Sequence, residues 1–167
     1  LRLICFPPPL LNALYVVRHS ACHFAAEGMN LRQLLDYALF VEKRHEDIDW
    51  DFFWTRCRDY GMEKYVLCMN EIAVERLGFG REIFHTPEEY SGFGSRQREL
   101  VDRVLDDIFF PQKPAGGKKG LSYVLARFRL WRDNLWKHRL VYSDSVPSTF
   151  VAQIKSHLMR PATIFRT

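Results

Sequence analysis

The histidines His19 and His23 are four residues apart, a spacing at which two imidazoles can act together in binding or catalysis. Residues four apart on a helix lie on one face, so both imidazoles would project from the same side. The H-x-x-x-H pattern suits a zinc pair, but residues 20–22 lack the glutamate that zinc peptidases carry between the two histidines. We therefore predict no metal ligand here, and we predict no catalytic residue in this chain.

Charged side chains close to the histidines extend this polar group. Arg18 precedes His19, while Arg32 and Asp36 are one turn apart on the next predicted helix. One interpretation is a set of groups that face a shared cleft, and the alternative is a buried ion-pair network that holds the two helices together. On the first interpretation, the predicted substrate-binding residues are Arg18, His19, His23, Arg32 and Asp36.

Three other motifs have both a structural and a functional interpretation. The stretch 47–51 mimics the D-x-D that holds magnesium, but acidic residues in a first helical turn also complement the helix dipole. Gly94-Ser95 is better explained as a helix start than as a phosphate loop. The segment 127–139 is basic and aromatic and would suit phosphates, although an amphipathic helix with a solvated basic face explains it better.

Periodic apolar residues and helix-stop signals predict the elements that position these groups. Asn30 with Gln33 forms a capping-box pattern, Asp49 is a predicted cap, and Gly28 is a predicted stop. The predicted helices cover residues 10–27, 31–44, 50–61, 62–77, 95–109, 121–141 and 147–160. No useful length of alternating strand pattern occurs. We predict an all-α fold, an antiparallel bundle of about six to seven helices without a substantial sheet.

Composition places the chain among ordinary globular proteins, with 167 residues of which 47% are hydrophobic and 26% charged. We expect a single helical domain over 1–167, with helices in 1–110, a loop at 111–120 and basic helices in 121–160. The chain begins with leucine, which suggests a fragment of a longer polypeptide. Four cysteines without a C-x-x-C pair, and no apolar run of membrane length, favour a cytoplasmic location.

Charge is distributed unevenly along the chain. The net charge is +4, yet residues 112–167 hold 11 Lys and Arg against only 2 Asp and Glu. Such a basic segment is a candidate surface for an anionic partner, or it pairs with acidic residues of the same molecule. A non-enzymatic helical module that binds an anionic partner through this segment is therefore an alternative function.

Several stretches together resemble one known family. They are Phe6-Pro7-Pro8-Pro9, Asn12, Arg18-His19, His23-Phe24, residues 27–38 (E-G-M-N-L-R-Q-L-L-D-Y-A), Ile48-Asp49-Trp50, residues 60–64, Leu77-Gly78 and residues 134–142 (N-L-W-K-H-R-L-V-Y). The chain resembles the uncharacterised nucleotidyltransferase family of the Bacteroidetes type. The resemblance covers most of the chain, and its most specific part is G-x-N-L-R-x-x-x-D after H-x-x-x-H-F.

The resemblance implies a bacterial parent protein in which an N-terminal core binds magnesium and a nucleoside triphosphate. This chain would be the helical, substrate-side portion that follows the core, and would be inactive alone. Its partners would be that core in the same polypeptide and a small-molecule acceptor, with nucleic acid not expected. The fragment itself would hold no cofactor. Arg18 and Arg32 would face phosphate or an acidic acceptor, a histidine would orient an acceptor hydroxyl, and Asp36 would fix one of these partners.

Overall fold

The computed structural model describes residues 7–26, 28–110, 129 and 132–142. In these residues it contains seven α-helices, three short 3₁₀ turns and no strand, which confirms the all-α prediction. The helices are α1 (Pro9–Ala26), α2 (Leu31–Arg44), α3 (Trp50–Asp59), α4 (Glu63–Leu77), α5 (Phe93–Arg96), α6 (Arg98–Phe109) and α7 (Leu135–Val141). The 3₁₀ turns are His45–Asp47, Arg81–Phe84 and Glu88–Tyr90.

The connection between α1 and α2 follows the sequence closely. Gly28 has a φ of 97°, a left-handed conformation that favours glycine. The Asn30 side chain accepts a hydrogen bond from the Gln33 backbone at 3.0 Å, and the Gln33 side chain accepts one from the Asn30 backbone at 3.1 Å. Met29 and Leu34 are both buried beside this box. The predicted cap, stop and helix start are therefore confirmed, and they set the angle at which α2 leaves α1.

We expect Asn30→Ala to lower the free energy of unfolding by about 1 kcal/mol, because a backbone N–H at the start of α2 loses its acceptor. Chemical denaturation followed by circular dichroism measures this change. Asn30→Asp is the matched control, since aspartate caps as well as asparagine and should stay within a few tenths of a kcal/mol. An equal loss in both variants would show that the hydrogen bond contributes little.

Helix α4 lies at the centre of the fold. Every residue from Tyr65 to Ala73 is buried, and the helix packs against α2, α3, α5, α6 and α7. Two polar residues are buried on it. The side-chain oxygen of Asn70 accepts a 2.9 Å hydrogen bond from the Tyr37 hydroxyl, while its amide nitrogen has no partner among the described residues. The carboxylate of Glu71 pairs with Arg81. Burial raises the pKa of the Cys68 thiol on this helix to about 12, so this cysteine serves as a core residue.

The prediction of one helix beginning at a Ser95 cap is wrong. The structure has a short α5 that already includes Ser95, and then a break at Gln97, where φ is −119° and ψ is 31°. Phe93 is only 7% exposed, so burial of this ring starts the helical turn before the serine. Gly92, with a φ of 72°, supplies the reversal that precedes it.

Helix α7 joins the C-terminal part of the described chain to α1 and α4. The ammonium group of Lys137 lies 2.5 Å from the Asp107 carboxylate on α6, and these side chains are only 3% and 8% exposed. The solvated basic face predicted for the segment 127–139 is therefore wrong at Lys137, which is buried. Arg132 pairs with Asp133 at 3.1 Å, and Arg129, Arg132 and Arg139 are all exposed. Most of the basic segment, the loop at 111–120 and the predicted helix 147–160 lie outside the described residues.

No helix in the described part of the chain is both long and apolar enough to cross a membrane.

Candidate functional site

A groove runs between α1 and α3, along α3 and the residues just after it, with a volume of about 700 Å³. We call it the α1–α3 groove. Helix α1 contributes Leu11, Leu14, Tyr15, Arg18, His19 and Cys22. The opposite wall consists of Phe52, Arg56, Tyr60 and Met62. Two of the predicted substrate-binding residues, Arg18 and His19, therefore line a common cavity.

Aromatic rings position the basic side chains of this groove. The guanidinium carbon of Arg18 lies 5.0 Å from the centre of the Tyr60 ring, and that of Arg56 lies 4.8 Å from the centre of the Phe52 ring. A guanidinium over an aromatic face is attracted by the ring quadrupole, which restricts its orientation without neutralising its charge. The groove therefore holds two cationic groups whose planes are backed by rings.

The two histidines of α1 contact each other. The rings of His19 and His23 meet edge to face with centres 4.5 Å apart, and His19 also stacks on Tyr15 at 5.6 Å. His19 lines the groove, whereas the half-buried His23 supports it from outside the lining. The His19 imidazole therefore lies between the rings of Tyr15 and His23.

Arg32 and Asp36 lie elsewhere. They form an ion pair with each other at 3.8 Å on the outer face of α2, where their side chains are 88% and 62% exposed. Neither residue lines the α1–α3 groove. The structure thus brings Arg18, His19 and His23 together but not Arg32 and Asp36. The alternative of a buried ion-pair network between the helices is wrong for this pair, because both side chains are largely in solvent.

The acidic stretch before α3 serves the helix start. The Asp49 side chain accepts a 3.0 Å hydrogen bond from the Phe52 backbone, and Asp47 pairs with Arg44 at 2.9 Å. In the described ranges, no three His, Cys, Asp or Glu side chains are grouped to hold a metal ion. Asp49 therefore acts as a helix cap, and Asp47 is held in an ion pair.

A second cavity, of about 710 Å³, lies between α4, α6 and the segment 81–95. Its floor is the buried carboxylate of Glu71, which receives two hydrogen bonds from the Arg81 guanidinium, at 2.5 and 3.1 Å. Gly94 packs directly against this carboxylate, where a Cβ atom would overlap it. Carboxylates of Glu75, Glu82, Glu88 and Asp102 also line the cavity, so its character is mixed and largely acidic.

Sequence reasoning missed the α3 side of the groove. Phe52, Arg56 and Tyr60 stand four residues apart, and this spacing was a signal that they share one helix face. It gave no indication that this face opens toward Arg18, because only the packing of α1 on α3 brings the two together.

Residues 5–78 match the family described as uncharacterised nucleotidyltransferase. The match confirms the family resemblance over a little under half of the chain, at its N-terminal end. No curated protein and no solved structure matches the chain significantly.

All ten residues that line the α1–α3 groove fall within the segment that matches the uncharacterised nucleotidyltransferase family. The second cavity differs in this respect, because most of its lining lies beyond residue 78. The α1–α3 groove is therefore the candidate site for a function connected with that family.

Proposed function

We propose that this chain is the helical, substrate-side part of a nucleotidyltransferase, and that the α1–α3 groove receives the acceptor. The observation that carries the proposal is that Arg18 and His19 line one open groove inside the segment that matches the family. In this proposal the catalytic core belongs to the same parent polypeptide but not to these residues. Magnesium and the nucleoside triphosphate would be bound by that core.

A surface that binds the acceptor in nucleotidyl transfer must meet two requirements. Nucleotidyl transfer forms a bond between an acceptor nucleophile and the α-phosphorus of the nucleotide, and breaks the bond to pyrophosphate, which leaves. The acceptor must be held in one orientation, because correct placement of two reactants removes much of the barrier. Its nucleophilic oxygen must also lose a proton as the new bond forms.

The groove residues meet these requirements. Arg18 offers a charged fork of N–H donors that fits a phosphate or carboxylate. A neutral His19 imidazole can accept a hydrogen bond from an acceptor hydroxyl, and its contacts with Tyr15 and His23 hold the ring in place. In this arrangement His23 is a positioning residue, because it acts through His19.

The test is nucleotide transfer by the full-length parent protein, measured as release of labelled pyrophosphate from nucleoside triphosphates labelled at the γ-phosphorus. We expect Arg18→Gln and His19→Ala each to lower kcat/KM at least about tenfold, through lost acceptor binding or lost proton transfer. Arg32→Ala and Asp36→Asn are the matched controls on the exposed face of α2, and should leave the rate unchanged. Unchanged transfer in a folded Arg18→Gln, His19→Ala double variant would refute the proposal.

A further inference from the structure

The charges and rings of the α1–α3 groove restrict what it can bind. Two arginines and one histidine line it, and its lining contains no Asp or Glu. Arg18 makes no ion pair within the described ranges, whereas Arg56 pairs with Asp59 at 3.2 Å, a residue outside the lining. The groove is therefore electropositive on its inner wall, with Arg18 carrying most of the available charge.

The rest of the lining is largely apolar, and four of its side chains are open to solvent. Tyr15 is 65% exposed, Leu11 55%, Tyr60 47% and Phe52 40%. These four make up most of the large exposed hydrophobic side chains in the described parts of the chain, and all of them line this groove. Large apolar side chains left together in solvent mark a binding surface, because covering them is favourable. A ligand that fits must therefore bring an apolar or planar body as well as charge.

The second cavity provides an internal contrast. It has nearly the same volume, but Glu71, Glu75, Glu82, Glu88 and Asp102 line it. Two of its three arginines are paired, since Arg81 binds Glu71 and Glu75, and Arg76 lies 3.4 Å from Asp102. With Arg98 as the third, five carboxylates still outnumber three guanidinium groups in the lining. An anion would be repelled there and attracted to the α1–α3 groove. The two cavities thus differ in the charge of their linings and not in their volumes.

We infer that the α1–α3 groove binds a small molecule that carries an aromatic or other planar apolar body and an anionic group. The anion pairs with Arg18, the planar body lies against Tyr15 and Tyr60, and Arg56 adds a weaker attraction. This inference rests on the proposed function, because in that proposal the molecule bound in the groove is the acceptor. Either a phosphate or a carboxylate can supply the anion, so the ligand is an aryl phosphate or an aryl carboxylate.

The experiment is a titration of the 167-residue chain with small probes, followed by NMR chemical shifts and fitted to a Kd. The probes are phenyl phosphate, benzoate, inorganic phosphate, benzyl alcohol and benzylamine. We expect phenyl phosphate or benzoate to bind at least about tenfold more tightly than benzylamine, because the groove attracts anions and repels cations. The tighter of the two aryl anions identifies the anion that the site prefers. Inorganic phosphate should bind more weakly than phenyl phosphate, because it lacks the ring.

Variants locate the binding. Arg18→Gln should weaken the best aryl anion about tenfold, because a charge-assisted pair is lost. Arg56→Gln should have a smaller effect, and Arg32→Gln on α2 should have none. Raising the salt concentration in the wild-type protein should weaken the aryl anion but not benzyl alcohol, and this comparison needs no variant.

Benzylamine binding as tightly as the aryl anions would overturn the inference, as would an affinity that Arg18→Gln leaves unchanged in a folded protein. Inorganic phosphate binding as tightly as phenyl phosphate would overturn the part assigned to the rings. The outcome is separate from the transfer assay. Probe binding without nucleotide transfer by the parent protein would refute the proposed function alone, and transfer without aryl-anion selectivity would refute this inference alone.

Discussion

Replacing Lys137 with alanine should lower the free energy of unfolding by about 3–5 kcal/mol, because it leaves the carboxylate of Asp107 buried without its counter-ion. Both side chains are almost fully enclosed, and the second Asp107 oxygen has no hydrogen-bond partner. The carboxylate thus already depends on this one ammonium group. Urea denaturation of the wild type and the variant at neutral pH measures the change.

The exposed ion pair between Arg32 and Asp36 is the matched control. Its side chains are 88% and 62% exposed, so solvent screens the attraction, and Arg32→Ala should cost less than about 0.5 kcal/mol. The double variant Lys137→Met, Asp107→Leu should recover much of the lost stability, because it removes both charges and keeps the volume. A cost for Lys137→Ala as small as that for Arg32→Ala would mean that the pair is hydrated in solution.

Phe24→Ala should destabilise the fold by a comparable amount, about 3–5 kcal/mol, because it leaves a cavity at the meeting point of three helices. The Phe24 ring is fully buried and lies 5.3 Å from the Tyr65 ring of α4 and 5.6 Å from the Trp136 ring of α7. The Lys137 ammonium group lies 5.4 Å from the centre of the same ring. Thermal and urea unfolding monitored by circular dichroism give the loss.

Tyr15→Ala provides the comparison on the same helix. Tyr15 is 65% exposed and its ring stacks on His19, so its removal should cost less than about 1 kcal/mol. Combining Phe24→Ala with Lys137→Ala should cost less than the sum of the two separate losses, since the residues share one contact. Strict additivity of the two changes would argue against a direct interaction between the ring and the ammonium group.

Local signals in the sequence predicted the helix boundaries where a single side chain decides them. The Asn30 box, the Asp49 cap and the left-handed Gly28 that follows α1 all depend on residues close in sequence, and all three are confirmed. The prediction that a helix starts at Ser95 is wrong, because that boundary depends on packing in the core and not on residues close in sequence. Burial of Phe93 in the core overrides the preference of serine for a cap, and nothing near Ser95 in the sequence reveals that burial.

The candidate site was predictable only in part. Helical spacing alone correctly put His19 and His23 on one face, and their rings do touch. It could not place Arg32 and Asp36, because the rotation of α2 turns Tyr37 and Ala38 inward and leaves the charged pair outside. The ion pair of Lys137 could not be predicted either, since its partner Asp107 lies thirty residues earlier on another helix. Pairings between distant elements require the packing itself.

The attachment of α7 to α1 has a practical consequence for anyone who expresses this protein. The family match ends at residue 78, but Phe24 is covered by Trp136, and the Tyr142 hydroxyl lies 3.7 Å from the sulfur of Cys22. A truncation at the match boundary would strip the cover from the first helix and expose an aromatic surface prone to aggregation. Gene designs and library boundaries should therefore extend at least through Tyr142.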